Sequence, residues 1–214
     1  MNFADRLRRL IPNEVFTDTD LKVVFRELTN TGMFSGLSRS LRSGDIVKLK
    51  RGIYIFGERL RLGSVSEFTA ANHMYTGSYI SFESALSHHG LIPEAVYVVT
   101  SACSGRKKKS FKTPIGEFSY DYVPCKPFLQ GVEQASEKSK FLIANPIKAL
   151  FDLVYVRRKE YATVEDLEDD WRISIEELEK AIESFSFLEL EILAKSYKKK
   201  NIIKLFELLM RKLK

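Results

Sequence analysis

The sequence predicts an α+β protein, with an N-terminal winged helix-turn-helix unit over residues 1–62 and a mixed α/β domain with a helical tail over 63–214. Three observations predict it. Apolar residues recur at helical spacing in three short segments before residue 43; the spacing changes to period two across residues 46–56; and beyond Gly63 helix-like and strand-like segments alternate, until only helical spacing remains after about residue 163.

Taken in order, Phe3, Leu7 and Leu10 share one helical face, and Pro12 ends that helix. Thr17 or Asp18 caps a second helix carrying Leu21, Val24, Phe25 and Leu28. Asn30-Thr31-Gly32 reads as a break. A third helix follows over residues 34–42, with Phe34, Leu37 and Leu41 as its buried stripe and Gly44 as its left-handed stop. Residues 46–56 then form a hairpin turning at Lys50-Arg51-Gly52. Residues 57–63 read as a linker.

In the second region Ser64 opens a helix to Met74, with Glu67 completing a capping box. A strand at 79–81 and a helix at 83–89 follow, the latter stopped by Gly90 and Pro93. Residues 96–100 and 117–123 read as strands, and the polar, basic stretch 104–113 between them as a loop or hairpin tip. Pro146 starts a helix running to about Arg158. The tail from Val164 is helical, with Leu188, Ile192, Phe206, Leu209 and Met210 suited to packed faces.

Composition narrows the function. A hydrophobic fraction of 44% and a charged fraction of 29% are those of an ordinary globular protein. The longest apolar run, residues 144–156, is interrupted by Asn145, Lys148 and Asp152, so no membrane span is expected. The basic start lacks a following apolar segment, and two cysteines are too few for a disulfide scaffold; a cytoplasmic location is expected. Residues 1–62 hold 12 Lys and Arg against 7 Asp and Glu, whereas the remainder is nearly balanced. That asymmetry points to a polyanion as the partner of the first third of the chain.

The third helix and the hairpin carry the chemistry. With its apolar stripe inward, the helix turns Ser38, Arg39 and Arg42 outward. Arg can bind guanine O6 and N7 bidentately in the major groove, and Ser38 can serve a phosphate or a base edge. Lys48, Lys50 and Arg51 lie along and at the tip of the hairpin, where they would bind the backbone phosphates. The plainer alternative is a solvated helix face beside an edge hairpin guarded by lysines. A second basic patch, Arg106, Lys107, Lys108, Lys109 and Lys112, is read as a solvated loop or as a contact to phosphates or RNA. The runs Arg157-Arg158-Lys159 and Lys198-Lys199-Lys200 are read as polar helix ends.

No catalytic residue, metal site or cofactor is expected. His88 and His89 are adjacent rather than four apart, and neither GxxxxGK[ST] nor GxGxxG occurs. A hydrolase would need Cys103 or Cys125 beside a histidine. A non-catalytic RNA- or protein-binding module acting through the basic loop is the main alternative to a DNA binder.

Three segments carry a resemblance. Residues 41–54 (LRSGDIVKLKRGIY), 79–93 (YISFESALSHHGLIP) and 144–153 (ANPIKALFDL) resemble, in that order, the AbiEi family of antitoxins and transcriptional regulators from type IV (abortive-infection) toxin–antitoxin systems. The resemblance covers most of residues 15–160. It implies a winged helix that binds inverted repeats in double-stranded operator DNA upstream of its own operon and represses it. It further implies a C-terminal domain that counters a nucleotidyltransferase-like toxin without a stable complex. It also implies positive charge on that domain, for which the 106–112 patch is the natural candidate.

Overall fold

The computed structural model describes residues 2–135 and 140–212 and has a mixed α+β architecture with two sheets. The first sheet is three-stranded and antiparallel, in the order β1 (Val15–Thr17), β3 (Ile53–Phe56), β2 (Ile46–Lys50). Helices α1 (Phe3–Leu10), α2 (Asp18–Val24) and α3 (Asn30–Arg42) pack on one of its faces. Each helix starts at a side-chain cap: Asn2 accepts from the Asp5 amide, Thr17 forms a capping box with Asp20, and Thr29 accepts from the Gly32 amide.

Two expectations for this region change. Strand β1 is an addition to the expected elements, because three residues are too few to show a period. The segment 30–32 does not break the chain; Thr29 caps α3 one turn earlier, so Asn30, Thr31 and Gly32 form its first turn. The helix consequently buries Met33, Gly36, Leu37 and Ser40, while Phe34 is 43% exposed.

The second sheet has six strands in the order β6 (Lys109–Thr113), β7 (Gly116–Tyr122), β5 (Val98–Cys103), β4 (Tyr79–Ile80), β9 (Phe141–Ala144), β8 (Val132–Ala135). It is mixed: β5 runs parallel to β7 and β4 parallel to β9, and the other neighbours are antiparallel. Helices α4 (Glu67–Met74), α5 (Phe82–His88) and α6 (Pro146–Arg157) pack with this sheet. Ser66, rather than Ser64, caps α4. Half of the expected basic loop is strand β6. As an edge strand with mostly exposed side chains it carries little apolar alternation to read. The tail is four helices, α7 (Glu165–Trp171), α8 (Ile175–Glu183), α9 (Phe187–Ser196) and α10 (Lys200–Lys212). Phe206 and Leu209 are buried as expected, but Leu188 and Ile192 are 60% and 46% exposed; α9 buries Leu190, Leu193 and Ala194 instead. Among the described residues no helix is long and apolar enough to cross a membrane.

The small sheet is covered on both sides. Phe16, Ile46, Tyr54 and Phe56 face the three helices, whereas Val15, Leu49, Ile53 and Ile55 belong to the core built with α4, α5 and the second sheet. This explains why all four residues of β3 are buried, contrary to simple alternation with one wet face. The segment read as a linker is also docked. Gly57 donates to the Asp45 carbonyl, Leu60 is buried, and Arg59 pairs with Asp45 at 2.7 Å and Asp5 at 2.9 Å.

One fully buried carboxylate joins the second sheet to the tail. Asp152 of α6 accepts from Tyr79 Oη (2.9 Å), Ser81 Oγ (2.7 Å) and Tyr197 Oη, with Lys148 Nζ at 3.4 Å. Lys148 also donates to Tyr197 Oη at 3.1 Å. Burial, then the charge of Asp152, pushes both phenols well above their ordinary pKa, which keeps them protonated as donors. Removing one partner of such a pair leaves an uncompensated buried charge. Lys148→Met is therefore expected to cost about 3–5 kcal/mol in urea denaturation, and Lys148→Met/Asp152→Asn to recover part of that loss. A double variant less stable than the single one would show that the charge pair is not what matters there.

Candidate nucleic-acid interface

The placement of α3 begins with Gly36. A Cβ there would come within 2.4 Å of the Phe3 ring, which stacks on Phe25 at 4.3 Å between centroids. Glycine thus lets α1 approach α3 closely. Ser40 turns its hydroxyl back to the Gly36 carbonyl at 3.0 Å. With that side fixed inward, Ser38, Arg39 and Arg42 lie exposed. Among the described residues neither arginine pairs with a carboxylate, so both guanidinium groups are available to a ligand.

The earlier helix start adds residues that the sequence reading left out. Thr31 and Ser35 are exposed, and with Ser38 and Arg42 they form one helical stripe at successive spacings of four, three and four residues. Asn30 is exposed in the first turn. The signal that could have found them is Thr29 placed three residues before Gly32, a capping distance.

The hairpin divides its cations. Lys48 and Arg51 are exposed, and Gly52 turns the chain with φ +78°. Beside it, Tyr54 donates to Asp18 at 3.0 Å, and burial followed by that carboxylate pushes its phenol up to about 12. Lys50 departs from the expected set. A register irregularity between Lys48 and Lys50 breaks the alternation that would have placed both on one face. Lys50 instead points to the second region, where it donates to the Met74 carbonyl at the end of α4 and sits 4.9 Å from the ring centroid of Phe111 on β6. Burial, with Lys109 nearby, lowers its pKa.

The second basic patch is similarly dispersed. Lys108 pairs with Asp121 at 3.1 Å, Lys112 with Glu117 at 2.8 Å, and the Lys109 ammonium lies 4.4 Å from the Tyr75 ring centroid. Arg106 and Lys107 remain exposed in the turn before β6. The cysteines have other uses: Cys103 lies 3.3 Å from the Gly105 carbonyl, and Cys125 contacts Ser196 Oγ at 3.0 Å. His89 bonds the Ala144 carbonyl at 2.8 Å, and His88 packs edge-on against Phe68 and Phe141.

No family model and no curated protein matches the chain. Among solved structures, the crystal structure of the RV2827C protein from Mycobacterium tuberculosis is similar to it. That likeness has a TM-score of 0.51 at 16% identity and covers 98% of this chain and 79% of that one. At this identity the likeness is one of fold.

The divided cations make a direct expectation. Lys50→Ala should lower stability by about 1–2 kcal/mol, through loss of a charged hydrogen bond and a cation–π contact. Lys48→Ala and Arg51→Ala should each stay within about 0.5 kcal/mol of the parent in urea denaturation. Equal effects from all three would contradict the partition.

Proposed function

We propose that the protein is a DNA-binding transcriptional repressor in which residues 1–62 act as a winged helix. The observation that carries this reading is the outward stripe of α3, with Arg39 and Arg42 unpaired with any carboxylate among the described residues, on a unit whose hairpin exposes Lys48 and Arg51. In this reading α3 enters the major groove, its first turn brings Asn30 and Thr31 towards base edges, and Ser38 binds a phosphate or a base edge. Arg39 and Arg42 read guanines, and Lys48 and Arg51 hold the sugar-phosphate backbone. The charge excess of the first 62 residues supports the choice of a polyanion. Lys50 drops out of the contact set because its ammonium is committed to Met74 and Phe111.

The step from repressor to antitoxin rests on the family resemblance of three segments. We propose on that basis that the operator consists of inverted repeats and that the second region counters a nucleotidyltransferase-like toxin. Co-expression with the product of an adjacent nucleotidyltransferase gene tests it: growth should be rescued by the full chain.

DNA recognition is tested by selecting duplexes from a random pool with the full chain. Arg42→Ala should then weaken the selected site by about 1–3 kcal/mol and relax preference at one position. Arg51→Ala should weaken all sequences alike and lower the salt slope by about 1. No enriched sequence, or an Arg42→Ala variant that binds the selected site normally, would remove the recognition role of α3.

A further inference from the structure

Three basic runs that lie far apart in the sequence converge on one cleft of about 600 Å³. Arg106 enters from the turn before β6, Arg158 from the end of α6, and Lys199 and Lys200 from the start of α10. Among the described residues none of these four cations pairs with a carboxylate. The two carboxylates in the cleft are already engaged, Asp121 with Lys108 at 3.1 Å and Glu160 with Lys204 at 2.6 Å. Tyr122 and Tyr155 also line it, both half-buried, and the Lys199 ammonium lies 6.0 Å from the Tyr155 ring centroid.

Four unneutralised cations around one concavity repel each other unless an anion joins them. The volume lies within the roughly 300–1,000 Å³ of small-molecule sites, and it is too small to admit a duplex. Arg and Lys donors are suited to phosphate oxygens, and tyrosine rings to the face of a base. Arg158 is held there at a cost: its φ is +55°, a left-handed backbone that ordinarily favours glycine.

We propose that this cleft binds a nucleoside polyphosphate. Its phosphates lie among Arg106, Arg158, Lys199 and Lys200, and its base lies against Tyr155 and Tyr122. The site is separate from α3 and does not depend on the DNA-binding reading.

Isothermal titration of the full chain with ATP, GTP, CTP, UTP, inorganic tripolyphosphate and an unphosphorylated single-stranded oligonucleotide tests the proposal. At least one nucleotide should bind about tenfold more tightly than tripolyphosphate. Arg158→Gly suits the left-handed backbone, so it should preserve the circular dichroism spectrum while weakening the nucleotide about tenfold; Arg158→Lys should restore part of the loss. Tyr155→Leu should abolish the preference for nucleotide over tripolyphosphate. Unchanged nucleotide affinity in Arg158→Gly would overturn the site. Tripolyphosphate binding as tightly as all four nucleotides would overturn the ligand class. An oligonucleotide binding more tightly than any nucleotide, and losing that affinity in Arg158→Gly, would make the cleft a polymer site instead.

Discussion

The second region is organised around the Asp152 carboxylate, which is fully buried and receives donors from three directions. Tyr79 and Ser81 bring β4 and the start of α5, Lys148 comes from one turn earlier on α6, and Tyr197 comes from the end of α9. Desolvating a carboxylate is costly, so such a group persists only where its lone pairs are filled. Filling them fixes the depth at which α6 crosses the sheet and pins the tail to it. The basic cleft lies at the C-terminal end of the same helix, between Arg158 and the start of α10. Asp152 thus lies one helix turn before Tyr155, which lines that cleft.

Positive charge is used in two different ways. Lys50, Lys108, Lys112, Arg59 and Lys148 are each held by a carbonyl, a carboxylate or a ring, Lys148 in the interior and Lys108, Lys112 and Arg59 at the surface. Arg39 and Arg42 on α3, and Arg106, Arg158, Lys199 and Lys200 around the cleft, are left without acidic partners among the described residues. Surface pairs contribute little to stability, so the first group is informative mainly about position. The second group marks two places, the outer side of α3 and the cleft, where the molecule tolerates repulsion.

Helix spacing made α1, α2 and most of α3 readable, and stop and start signals did the same for α5, ended by Gly90, and for α6, begun by Pro146 and buried on all sides from Ile147 to Val154. The outward set Ser38, Arg39 and Arg42 followed correctly from that spacing, even though Met33 rather than Phe34 fills the inner position. Contacts between distant segments were not readable. A single register irregularity in β2 moved Lys50 to the opposite side of the sheet, and no local pattern announces it. Strands β1, β6, β8 and β9 are short or exposed, so they carry no period. The gathering of Arg106, Arg158 and Lys199 needs the tertiary fold; in sequence they are a loop and two helix ends.

The doubly covered strand Ile53–Phe56 has a consequence for how this chain can be taken apart. A helix-and-hairpin unit with one wet sheet face can be transplanted onto another body with only its linker redesigned. Here Val15, Leu49, Ile53 and Ile55 would arrive as a bare apolar strip, and the new host would have to supply the surface that Ala70, Met74 and their neighbours provide. The unit is thus not portable. A chimaera built to test the proposed role of α3 must exchange its exposed stripe and leave the sheet beneath it in place.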